Sequence, residues 1–171
     1  GVFAHGAGCC GAIRRHLDDG HGALDEARRN IDAWIPLLDQ GAEAIVVNAS
    51  GCGAIVREYG HWLRDDPAYA ERAARVSALA CDPVVYLGER VDALRGQLRE
   101  GVLAQAVAFH PPCTLQHGQK LSGVTETLLT ALGADLRPFA ESHLCCGSAG
   151  TYSVLQPVLS KKLRERKLAS I

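Results

Sequence analysis

Two short motifs constrain this chain more than anything else in it. They are Cys145-Cys146-Gly147-Ser148-Ala149-Gly150 and, near the start, Gly8-Cys9-Cys10-Gly11-Ala12. Each puts two thiols on consecutive residues and follows them with small ones. Consecutive α-carbons lie about 3.8 Å apart, whereas a relaxed disulfide spans roughly 4.4–6.8 Å between them. A bond within either pair would be strained, so each pair reads as free thiols or as ligands. Glycine after the pair permits a tight turn and the close approach of a bulky group. For a single pair the plainer reading is two buried inert thiols, since free cysteine packs as a small hydrophobe. Two pairs with more cysteines between them favour ligation.

The other cysteines are Cys52, Cys81 and Cys113, making seven in 171 residues. An odd count outside a short secreted scaffold points to a reducing compartment with thiols kept free or bound. We therefore expect a cytoplasmic protein. Net charge is −1 with no block of like charge, which gives nucleic acid nothing to hold. No apolar run reaches membrane-spanning length, and no signal peptide is visible. The chain has no methionine, opens at Gly1 in a loop pattern and stops at Ile171 in a helical one. It reads as a piece of a longer protein.

Hydrophobic periodicity places the motifs. Helical spacing covers residues 23–40 through Ile31, Trp34, Ile35 and Leu38, with Pro36 near the end and Gly41 as the stop. Residues 44–48 read as a buried parallel strand leading to Cys52, which glycines flank in the position where open α/β sheets take ligands. Helices are expected over 54–64, 67–80, 83–99, 122–132 and 154–171. Cys81 lies between two of them and reads as a packing cysteine. A second strand over 106–109 runs into His110-Pro111-Pro112-Cys113, where two prolines predict an extended exit presenting Cys113. His110 reads as a hydrogen-bond donor behind the ligands. His5, His16 and His21 read as loop histidines. The basic run from Lys161 to Lys167 reads as a solvated face, because Glu165 interrupts it. A weak strand over 136–139 leads into the second cysteine pair.

Structural zinc favours Cys-x-x-Cys, and this chain has none. Separated cysteines on loops suit an iron–sulfur cluster better, although common cubane clusters also use Cys-x-x-Cys runs. Thiol redox chemistry ranks second and zinc third.

Cys113 followed about thirty residues later by Cys145-Cys146-Gly147 resembles the cysteine-rich "CCG" domain. That domain occurs twice in heterodisulfide reductase subunits, in lactate-utilisation proteins and in the iron–sulfur subunit of glycolate oxidase. Asn30-Ile31-Asp32-Ala33-Trp34, Ala49-Ser50-Gly51-Cys52-Gly53-Ala54, Glu58-Tyr59-Gly60 and Ser142-His143-Leu144-Cys145-Cys146-Gly147 favour the last of these. The resemblance implies an α/β fold of two pseudo-repeated CCG units, short parallel strands flanked by helices, over residues 1–100 and 101–171. The first unit would lack its N-terminal part and the second its C-terminal part. It implies Cys9, Cys10, Cys52, Cys113, Cys145 and Cys146 as ligands of clusters of 4Fe-4S type, with Cys81 outside the set. Residues 49–52 lack the first cysteine of the heterodisulfide reductase Cys-x-x-Cys, so the first set departs from that pattern. It further implies an oxidoreductase subunit inactive on its own. Such a subunit takes electrons from a flavin-bearing partner that oxidises glycolate to glyoxylate, in a complex peripheral to the inner face of the cell membrane. The alternatives are a heterodisulfide reductase or lactate-utilisation subunit, or a non-redox zinc or structural subunit.

Overall fold

The computed structural model describes residues 1–148 and 150–171; Ala149, inside the second cysteine motif, lies outside the described residues. A short helix α1 (Ala12–His16) follows the first cysteine pair and leads to the long helix α2 (Gly20–Asp39). Helix α2 starts earlier than periodicity alone indicates. The Asp19 carboxylate accepts the Gly22 N–H and caps it. Its buried face is Ala23, Ala27, Asn30, Ile31 and Leu38, one stripe at helical spacing. Beyond it, the Gly41 and Ala42 N–H groups bond back to Leu38 and Leu37, closing the helix as glycine there predicts.

Strand β1 (Ile45–Val46) is followed by α3 (Ser50–Val56), α4 (Tyr59–Trp62), α5 (Ala70–Leu79) and β2 (Ala80–Cys81). The two strands pair in parallel, Ile45 with Ala80 and Val46 with Cys81. Cys81 is thus a half-buried strand residue, where the sequence suggested a link between helices. Ile31, Val56, Tyr59, Leu63 and Val76 are fully buried and form the centre of this unit. The expected helix over 83–99 is two short ones, α6 (Pro83–Gly88), capped by Asp82, and α7 (Val91–Arg95).

The second unit opens with β3 (Ala106–Val107), and a π-helical turn (Thr114–Gly118) comes next. Helix α8 (Val124–Ala131) and β4 (Asp135–Leu136) follow. Strands β3 and β4 are parallel, so their C-terminal exits, carrying Cys113 and the second cysteine pair, leave one edge together. Beyond the pair lie α9 (Tyr152–Leu155) and α10 (Pro157–Ala169). The observed class is a helix-rich α/β fold with two short parallel strand pairs.

The two units meet where α3 packs on the π-helical turn. Ser50 Oγ lies 2.7 Å from Thr114 Oγ1, and buried Gln119 donates to the Ser50 carbonyl at 3.0 Å. A Cβ on Gly53 would come within 3.0 Å of the Gln119 amide nitrogen. That glycine beside Cys52 therefore makes room for the other unit.

Candidate metal centre

The first cysteine pair is shaped by the core beneath it. At Gly11 the backbone takes φ 85°, and a Cβ there would stand 2.9 Å from the Ala23 carbonyl oxygen of α2. Both facts demand glycine. Asn30 and Tyr59, each wholly buried, grip the turn from below. Asn30 Oδ1 accepts the Gly8 N–H at 2.7 Å, and Nδ2 donates to the Cys9 carbonyl at 2.8 Å and to the Tyr59 hydroxyl at 3.0 Å. That hydroxyl donates to the Cys10 carbonyl at 2.9 Å. Cys9 is left exposed and Cys10 buried.

Cys52 projects from the first turn of α3, where the sequence suggested a glycine-rich loop. It packs, partly buried, against the core cluster that contains Cys10. Burial above all pushes the Cys10 thiol up to about 12; the Ala12 backbone opposes this, and the Cys52 and Cys9 thiols add to it. Such a thiol ionises when a cation arrives to compensate, so metal binding there releases a proton.

The second pair repeats the geometry. Gly147 takes φ 81°, and a Cβ on it would collide with the Ser160 carbonyl of α10. Ser160 Oγ donates to the Gly147 carbonyl at 2.7 Å. The Gly147 N–H lies 3.3 Å from Cys145 Sγ, and Cys146 Sγ lies 3.3 Å from Ser148 Oγ. The Ser148 hydroxyl and backbone hold the Cys146 thiol below its ordinary value, with the Lys167 charge adding to them. The two sites are therefore poised oppositely, one thiol raised by burial and one lowered by donors.

Lys167 corrects the solvated-face reading of the basic run. It is 4 % exposed and donates to the Glu141 and Ser142 carbonyls at 2.6 and 3.2 Å. His110 packs edge-on against Phe139 at 6.4 Å, and neither ring nitrogen has a hydrogen-bond partner. Burial first, then the Lys167 charge, lowers its pKa; the Ser142 backbone opposes this without meeting hydrogen-bond geometry. At neutral pH it is an uncharged ring holding one unused N–H.

Cys113 is exposed and caps the π-helical turn with helical dihedrals (φ −56°, ψ −39°). The expected extended exit is thus replaced by an immediate helical turn, which proline tolerates at a helix start. Among the described residues, no three His, Cys, Asp or Glu side chains converge closely enough to hold one metal ion. Cys10 and Cys52 belong to one packed cluster, and Cys145 and Cys146 share a turn through their neighbours Gly147 and Ser148; Cys113 joins neither in a group of three. The residues nonetheless fit a thiolate-ligated group. The donors are soft sulfurs, a backbone N–H points at one of them, and the His110 ring nitrogens are buried without a partner in the same unit. Asn30 and Tyr59 lie in stretches that carry the family resemblance, but no local pattern assigns them, Ser160 or Lys167 these roles, because each acts across a separation of roughly thirteen to fifty residues.

The chain belongs to the CCG family of cysteine-rich domains, whose family model matches residues 2–57 and 107–171. It is 48% identical over 171 residues to the glycolate oxidase iron-sulfur subunit of Escherichia coli (strain K12), covering 98% of this chain and 40% of that protein. It is 32% identical over 164 residues to the probable glycolate oxidase iron-sulfur subunit of Bacillus subtilis (strain 168), covering 95% and 36% respectively. It is also 32% identical over 174 residues to the uncharacterized protein YkgE of E. coli, covering 99% and 68%. The chain thus spans less than half the length of the first two relatives. Among the described residues no helix is long and apolar enough to cross a membrane.

Proposed function

We propose that this chain is the cysteine-rich part of an iron–sulfur electron-transfer subunit in a glycolate-oxidising complex. The observation that carries the reading is the 48% identity, over 98% of the chain, to a glycolate oxidase iron-sulfur subunit. In this reading Cys9, Cys10 and Cys52 ligate at one site and Cys113, Cys145 and Cys146 at the other, within units spanning residues 1–100 and 101–171. The clusters are of 4Fe-4S type, and when bound such a group stores and releases single electrons. The chain's own residues prepare for that chemistry. Glycines let each cysteine turn lie close against a helix backbone, Gly147 N–H and Ser148 solvate sulfur in the second turn, and Lys167 supplies nearby positive charge.

Glycolate oxidation itself belongs to a flavoprotein partner, and this subunit turns nothing over alone. The complex lies at the cytoplasmic face of the cell membrane and binds it peripherally. The test is to mix the full-length subunit, purified without oxygen, with its flavin-bearing partner and add glycolate. Bleaching of the subunit's visible absorption supports the proposal. Reduction by lactate and not by glycolate would move it to a lactate-utilisation complex.

A further inference from the structure

Each cysteine pair needs something to fix the direction in which its thiols leave the backbone. At the first pair that something is visible and consists of two side chains from two helices. Asn30 of α2 and Tyr59 of α4 take three successive backbone polar groups of residues 8–10 and turn them into the core. Asn30 uses both amide hydrogens and its oxygen, and Tyr59 both donates and accepts, so the network is closed. The Tyr59 ring cannot swing away. It is held against Trp34 at 6.4 Å and Trp62 at 5.8 Å between centroids. With both peptide carbonyls pointing inward, the turn is set before any ligand arrives, Cys9 exposed and Cys10 buried.

We infer that Asn30 and Tyr59 are positioning residues for a metal group bound at Cys9, Cys10 and Cys52. Their hydrogen-bond network sets how tightly that group is held. The inference rests on the cluster-ligating reading above but asks more of it. A buried network that only stabilised the fold would weaken the empty and loaded chains alike. A positioning network weakens the loaded chain more, because preorganisation of the ligands is lost as well.

Tyr59→Phe removes one hydroxyl from an otherwise unchanged ring, and Asn30→Asp keeps the shape and the acceptor while losing both donors. Val76→Ala, a wholly buried position that the network does not use, controls for general destabilisation. The measurement is the rate of iron loss to a chelator under argon, beside thermal unfolding of the loaded and empty chains. Tyr59→Phe and Asn30→Asp are expected to show a phase of iron loss roughly 10- to 100-fold faster than wild type. That phase should disappear in a Cys10→Ser background, and the loaded-minus-empty gap in unfolding temperature should narrow. Val76→Ala should lower both temperatures together and leave the rate alone. Wild-type rates in both network variants, or an equal acceleration in Val76→Ala, would overturn the inference. So would failure of both network variants to fold when empty, which would make the network part of the core alone. A wild-type chain that holds no iron at all would overturn the cluster reading instead.

Discussion

Replacing Gly11 by alanine tests why a glycine follows the cysteine pair, and Gly41→Ala supplies the comparison. Both residues have positive φ, 85° and 98°. Alanine in either must therefore enter left-handed backbone, at about 1–2 kcal/mol. Only at Gly11 does the new methyl meet an obstacle, the Ala23 carbonyl oxygen at 2.9 Å, whereas nothing lies within 4 Å at Gly41. That carbonyl belongs to helix α2, so it has little freedom to retreat. Forcing a carbon against it adds about 1–3 kcal/mol of overpacking. Gly11→Ala should therefore lose about 2–5 kcal/mol and Gly41→Ala about 1–2 kcal/mol. Urea unfolding of the reduced, metal-free chain, followed by far-ultraviolet circular dichroism, reads both from midpoints at constant slope. Equal losses would refute the packing argument and leave backbone conformation as the whole reason for the glycine.

Two further outcomes are expected. In the metal-free chain at pH 8, a thiol at about 12 is roughly one part in ten thousand thiolate, against about a tenth for an ordinary thiol. Iodoacetamide should therefore label Cys146 long before Cys10, as read by peptide mass spectrometry; preferential labelling of Cys10 would contradict the opposite poise of the two sites. Asp66 ties the start of α5 to α2. Burial would raise its carboxyl, but Arg28, at 2.9 and 3.1 Å, with the Ala68 and Tyr69 N–H groups, holds it below its ordinary value. A depressed carboxyl stabilises above its unfolded value and loses that contribution as pH falls through its folded one. Asp66→Asn should thus lower stability at neutral pH and flatten the fall in stability below about pH 4; an unchanged acid profile would rule this pair out as a contributor.

Much of the architecture was legible because it follows from period and punctuation. The apolar stripe through Ile31 and Leu38, the stop at Gly41 and the strands after Gly41 and before the second cysteine pair are local signals, and all appear. The cysteine turns were legible for the same reason: Cys-Cys-Gly requires a left-handed residue wherever a helix closes behind it. The misread features were settled by tertiary contact. Cys52 lies in a helix because the π-helical turn packs on α3 across the seam. Pro112 begins a helical turn because the Leu115 and Gln116 N–H groups find its carbonyl. Lys167 is buried because two carbonyls before the second cysteine pair need a donor and the helix that follows delivers one. Nothing in the run from Lys161 to Lys167 marks that residue apart from its neighbours.

The central claim, that two separate cysteine sets each hold an iron–sulfur group, is most directly tested by counting iron and acid-labile sulfide per chain after anaerobic purification. Wild type, Cys10→Ser, Cys146→Ser and Cys81→Ser should be compared. The account predicts iron and sulfide together in wild type and a partial loss in each of Cys10→Ser and Cys146→Ser. Cys81, a strand residue paired with Val46, should tolerate serine with no loss. Zinc without sulfide in wild type, or as large a loss in Cys81→Ser as in the other two, would contradict it.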